Sequence, residues 1–204
     1  MILKKKLGIY GGTFSPPHQG HVGAAEAFVS AVSLDKLLIM PDFVPPHKQI
    51  DGGVGVTDRM EMCRLAFSHV ANAEISELEI KRGGKSYTAL TLAELSSEEH
   101  DLYFLCGTDM FLTLGEWYMP EEIFKLATIC YVRRERDEKD GDTIKLRTKE
   151  YVENFGARII PISASVTEVS SSEIRRAIKE GDARIAELLP KAVFDYIEDR
   201  RLYK

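Results

Sequence analysis

The chain has 204 residues, 44% of them apolar, three cysteines and a formal net charge of −5. That length and apolar share fit one domain around one sizeable core. The acidic balance excludes a general binder of nucleic acid or of anionic membranes, which carries a basic footprint, so any phosphate recognition must be local.

In chain order, Lys4, Lys5 and Lys6 precede no apolar stretch of signal-peptide kind, and no apolar run approaches the length of a membrane span. A cytoplasmic protein is expected. Leu7 to Tyr10 predicts a buried parallel strand, about His21 to Val32 a helix, and Lys36 to Met40 a second strand. Pro41 to Val56, rich in proline and glycine, predicts a long loop, either functional or disordered. Thr57 is placed to cap a helix from Asp58 to about Val70. Ala73 to Ile80 reads as a strand ending at Gly83-Gly84, Tyr87 to Leu95 as a helix, and Leu102 to Cys106 as the central strand. Glu121 to Leu126 predicts a short helix, Thr128 to Val132 a strand, Arg133 to Asp142 a solvated charged loop, Thr143 to Phe155 an amphipathic helix and Ala157 to Ile162 a last strand. Ser170 and Glu173 form a capping box for a helix from Ser171 to Glu180 that Gly181 stops. A final helix is expected from Pro190, at its first position, to Arg200. Strands alternating with helices predict a Rossmann-like, doubly wound, mostly parallel α/β sheet with helices on both faces, as a single domain over residues 1–204. Cys63, Cys106 and Cys130 lie far apart in apolar surroundings and read as buried free thiols, with no metal-ligand spacing.

The stretch Gly11-Gly12-Thr13-Phe14-Ser15-Pro16-Pro17-His18-Gln19-Gly20-His21 joins the first strand to the first helix. A helix N-terminus set over the C-terminal edge of a strand favours an anion. His18 and His21 are open to three readings: a metal pair, catalytic groups, or surface residues near a turn. With no Cys, Asp or Glu in the motif to complete a zinc set, anion contact is the better functional one. Gly83-Gly84-Lys85-Ser86 suggests the end of a P-loop, but Glu79 stands where that pattern needs glycine, so the P-loop is rejected. No G-x-G-x-x-G follows the first strand either.

The run from Gly11 to His21 resembles the H-x-G-H signature of the nucleotidylyltransferase superfamily, and Val169-Ser170-Ser171-Ser172-Glu173-Ile174-Arg175 resembles its second signature. Within that superfamily the chain is most similar to the branch that adenylylates nicotinate mononucleotide, through Met40-Pro41, Val44 to Lys48, Ser86-Tyr87-Thr88, Phe104 to Met110, Trp117-Tyr118 and Leu202-Tyr203. The resemblance spans essentially the whole chain, with the helices from about residue 170 onward carrying the second signature. It implies transfer of AMP from ATP to nicotinate mononucleotide, with release of pyrophosphate, in NAD biosynthesis. It also implies His18, His21 and Arg175 as catalytic residues, and Gly11, Gly12, Thr13, Phe14, Gly107, Asp109, Ser171 and Ser172 as the ATP site. Lys48, Thr88, Trp117 and Arg134 would receive the mononucleotide. Mg²⁺ is expected with ATP as co-substrate, held by phosphate oxygens and water without a protein cage.

Two positions depart from the family pattern: Ser15 stands where Asp is usual, and Ser172 where Thr is usual. The implied partners are ATP and a pyridine mononucleotide, not nucleic acid or membrane, and a homo-oligomer is left open. The alternatives are the same chemistry on nicotinamide mononucleotide, phosphopantetheine or flavin mononucleotide, and a catalytically silent nucleotide sensor.

Overall fold

The computed structural model describes residues 3–46, 54–133, 141–163, 167 and 169–204. Among them, six strands form one parallel sheet: β1 (Lys5–Gly12), β2 (Lys36–Pro41), β3 (Ala73–Ile75), β4 (His100–Gly107), β5 (Ala127–Arg133) and β6 (Ile159–Ser163). Their order is β3-β2-β1-β4-β5-β6, the doubly wound order that reverses direction between β1 and β4. The inner strands are almost continuously apolar because both sheet faces are covered. Gly8 in β1 has a packing reason: a Cβ there would meet Leu34 Cδ1 at 2.4 Å.

The helices are α1 (Gln19–Val32), α2 (Val56–Phe67), α3 (Leu78–Arg82), α4 (Thr88–Leu95), α5 (Thr108–Thr113), α6 (Pro120–Leu126), α7 (Gly141–Phe155), α8 (Ser171–Glu180), α9 (Ile185–Leu188) and α10 (Lys191–Arg200). Alternate strand residues serve opposite cores. Leu37, Ile39 and Leu105 pack with Phe28 of α1, Cys63 of α2, Ile174 of α8 and Val193 of α10, whereas Ile9, Met40, Phe104 and Ile129 pack with Leu92 of α4, Phe111 of α5 and Ile123 of α6.

Several sequence expectations change. Gly11 and Gly12 belong to β1, paired with Met40 and Pro41, and do not form a turn beyond it. The strand expected over Ala73 to Ile80 stops at Ile75, and Leu78–Arg82 is helical. Among the described residues β3 pairs with β2 alone, so no second neighbour there prolongs its ladder. Gly55, not Thr57, is the N-cap of α2, and Pro190 caps α10 from outside instead of occupying its first position. The short helices α3, α5 and α9 are additions to the expected set. Of the charged run expected as a loop, Arg133 ends β5 and Gly141 and Asp142 open α7, while residues 134–140 lie outside the described residues, as do residues 47–53 of the loop after β2.

Candidate active site

At the switch between β1 and β4 the connections leave the sheet in opposite directions and open a crevice above the strand ends. A cleft of about 370 Å³ lies there, lined by Gly11, Gly12, Thr13, Phe14, His18 and His21 from the β1 side, and by Gly107 and Asp109 from the end of β4. Ser171, Ser172 and Arg175 close it from α8, and Thr88 and Trp117 from the side of α4. Of the fifteen residues singled out from the sequence, thirteen thus line one cleft. The other two, Lys48 and Arg134, lie outside the described residues.

The first wall is the β1–α1 connection. Phe14 has φ +46° and sits buried beneath Gly12, where a Cβ would meet its ring at 3.1 Å. The Ser15–Pro16 peptide bond is cis. His18 is the N-cap of α1, and its backbone N–H donates to Nδ1 of His21 at 3.2 Å. A ring nitrogen that accepts a hydrogen bond carries no proton, so the His21 proton resides on Nε2. The two imidazoles stack with centroids 3.7 Å apart, and the Phe14 ring meets His21 edge-on at 5.1 Å. Gly20 is needed for close approach: a Cβ would fall 2.5 Å from the carbonyl oxygen of Thr167.

The second wall is the N-terminus of α8. Ser170 caps it, its hydroxyl accepting from the Glu173 N–H at 3.2 Å while the Glu173 carboxylate accepts the Ser170 N–H at 2.7 Å. This wall is tied to the first. Ser171 Oγ donates to the Pro16 carbonyl at 2.9 Å, and Arg175 donates to the Ser15 carbonyl at 2.8 Å and to Ser172 Oγ at 3.1 Å. Ser15 Oγ also shares a buried hydrogen bond of 3.0 Å with Tyr203 Oη. Burial holds the Tyr203 phenol well above its ordinary range, at about 12.

Sequence reasoning missed the bracket beneath the cleft. Arg59, only 1% exposed, donates to the Thr13 carbonyl at 2.8 Å, to Asp42 Oδ1 at 3.0 Å and to the Asp42 carbonyl at 2.6 Å. Thr13 Oγ1 donates to Asp42 Oδ2 at 2.8 Å. Arg59 lies on a helix whose apolar neighbours Met60 and Cys63 suggested only packing, and no sequence signal distinguishes a buried arginine from a solvated one. Phe43 N–H donates to Ser86 Oγ at 2.9 Å and Ser86 N–H to the Val44 carbonyl at 2.9 Å, which fixes the segment after Asp42 against the approach to α4. Glu79 also lines the cleft; burial raises its carboxyl, against the opposing pull of Thr91, Ser86 and Arg82.

Trp117 is half-buried, edge-on to Phe104 at 6.3 Å, with Nε1 donating to Thr113 Oγ1 at 3.4 Å, so one part of its ring packs while another faces the cleft. Gly107 caps α5, and Asp109 is exposed in its first turn. The turn beneath it is anchored by Thr108 Oγ1 donating to the Val132 carbonyl at 3.0 Å.

The chain matches the cytidylyltransferase-like family over residues 9–177. A protein of Listeria innocua named "Probable nicotinate-nucleotide adenylyltransferase" is 36% identical, with 98% of each chain covered. One of Shewanella baltica with the same name is 32% identical over 97% of this chain and 99% of its own. Among solved structures, a nicotinic acid mononucleotide adenylyltransferase of Plasmodium falciparum, complexed with NaAD, superposes with a TM-score of 0.77 at 19% identity, covering 98% of this chain and 97% of its own.

Proposed function

The chain belongs to the cytidylyltransferase-like family, and we propose that it acts as a nicotinate-nucleotide adenylyltransferase, making nicotinate adenine dinucleotide and pyrophosphate from ATP and nicotinate mononucleotide. The observation that supports this most is one cleft bounded by both signatures, with Thr88 and Trp117 on the side left for the acceptor.

A phosphate oxygen of the mononucleotide attacks the α-phosphorus of ATP; the new P–O bond forms as the bond to the β-phosphate oxygen breaks, and pyrophosphate departs with the electron pair. The nucleophile is already an anion at neutral pH, so the reaction needs alignment and charge neutralisation more than a base. The cleft is suited to that. His21, neutral and protonated on Nε2, donates to the transferring phosphate, and His18 is stacked on it as a second contact. The first-turn amides of α8, with Ser171, Ser172 and Arg175, receive the outer phosphates. Gly11, Gly12, Thr13 and Phe14 form the floor that the phosphates approach, and Asp109 meets the adenosine ribose, where Gly107 allows close approach.

Thr88 opens α4, whose N-terminal dipole favours a carboxylate over an amide, and Trp117 offers a ring face to the pyridine. The family resemblance assigns Lys48 and Arg134, which lie outside the described residues, to the mononucleotide phosphate. Mg²⁺ would enter with ATP, held mainly by phosphate oxygens and water, and would supply charge neutralisation at the transferring phosphate. No helix among the described residues is long and apolar enough to cross a membrane.

The test is product analysis. With ATP, Mg²⁺ and nicotinate mononucleotide, pyrophosphate and nicotinate adenine dinucleotide should appear in equal amounts and only when both substrates are present. Pyrophosphate without the dinucleotide, or neither product, contradicts the proposal.

A further inference from the structure

The loop between Thr13 and His18 has to hold its place while the ligand it faces changes charge and shape. Ser15 in it is held at two points: it is 3% exposed, with its carbonyl taken by Arg175 and its hydroxyl by Tyr203. These two holds differ in kind. Arg175 lines the cleft and, on the reading above, also receives the outer phosphates of ATP, so its hold on the Ser15 carbonyl is shared with a ligand. Tyr203 has no such alternative. Its side chain is 3% exposed, packed in the core that Val193 and Ile197 of α10 share with Ile174 of α8.

The footing of Tyr203 is also tied to its surroundings. The chain leaves α10 through Arg201 at φ +52° and reaches Tyr203 at φ +64°, with Leu202 N–H donating to the Ile197 carbonyl at 3.0 Å. α10 in turn is fastened to α2 by Tyr196 Oη donating to Asp58 at 2.9 Å. A hydroxyl at position 15 meeting a phenol keeps this buried contact neutral. An aspartate in the same place would add an anion beneath the phosphates.

We propose that Tyr203 is a positioning residue for adenylyl transfer, holding the phosphate loop through the Ser15 hydroxyl while Arg175 also serves the substrate. The proposal rests on the adenylyltransferase reading for its kinetic consequence, but its structural consequence is independent of it.

The experiment compares wild type, Tyr203→Phe, Ser15→Ala and the double variant. Phenylalanine keeps the ring and its packing, so the fold should persist. kcat should fall about tenfold in Tyr203→Phe, the magnitude expected for one buried hydrogen bond. The Michaelis constant for the mononucleotide should stay within about twofold, since the acceptor half is untouched. The double variant should be no slower than the slower single one, because both remove the same bond. Amide hydrogen exchange at His18 and His21 should quicken in Tyr203→Phe without any substrate present. Unchanged kcat, additive losses, or equal exchange at those two amides would each overturn the proposal. If wild type releases no pyrophosphate with a pyridine mononucleotide, the functional reading fails, while the exchange measurement still decides whether Tyr203 holds the loop.

Discussion

The His18 amide occupies Nδ1 of His21, so that ring has one nitrogen to offer a phosphate, with its proton already on it. Replacing His21 by alanine removes this donor and also the partner of the His18 amide at the start of α1. We expect kcat to fall by about 10²–10³, the usual consequence of deleting one donor to a transition-state oxyanion, with a much smaller change in ATP affinity by calorimetry. A turnover within about threefold of wild type would remove His21 from the transition state. At this scale the sequence told a partial story. The spacing of His18 and His21 exposed both residues, but not that one orients the other, because a tautomer depends on a backbone amide that no residue letter encodes. Ser15 could be named as a departure from the family pattern and Tyr203 as part of the Leu202-Tyr203 match, whereas the bond between them, across the length of the chain, became visible only in three dimensions.

Among the elements, long helices with apolar faces were legible because burial imposes a 3.6-residue period, and α8 was legible to the residue because Ser170, Glu173 and Gly181 mark its ends. α3, α5 and α9 are too short to show a period and have no side-chain caps, so their residues read as loop or strand. The misread stretch after Ile75 matters to the site, since helix α3 is what presents Glu79 to Thr91 and to the cleft. Arg59 on α2 joins β1 to the loop after β2 from below, and its charge is balanced by Asp42. Removing one member of a buried pair leaves the other uncompensated. Arg59→Met should therefore lower the unfolding free energy in urea by about 3 kcal/mol, and a loss below about 1 kcal/mol would show that the bracket is dispensable.

For the molecule as a whole, the sheet order places the ends of β1 and β4 side by side, and the chain returns through α8 to close the cleft over them. Two signatures distant in sequence become two walls of one clamp, joined by Ser171 to Pro16 and Arg175 to Ser15. The two signatures could be recognised separately in the sequence; the direct bonds between them could not, since they run from side chains to carbonyls whose positions follow from tertiary packing. The buried acidic hydrogens have a further consequence. Burial raises Cys130 to about 12 and Tyr203 to about 12, and pushes the thiols of Cys63 and Cys106 up as well. In the unfolded chain these groups lose their protons near their ordinary values, 9.0 for thiols and 10.0 for tyrosine, while the folded protein keeps them. The folded state therefore binds more protons above pH 9, and stability falls as pH rises from there toward about 12. Urea midpoints should show this decline, and Tyr203→Phe should remove only the part that sets in above pH 10. A midpoint independent of pH across that window would contradict the burial of these groups. The central functional claim is adenylyl transfer to the acid form of the pyridine mononucleotide. It is tested most directly by pyrophosphate release from ATP with nicotinate mononucleotide and nicotinamide mononucleotide offered separately. The predicted result is release with both signatures intact and a kcat/KM for the acid at least about tenfold above that for the amide, one charge-assisted contact in magnitude; equal specificity constants, or no release with either, would contradict it.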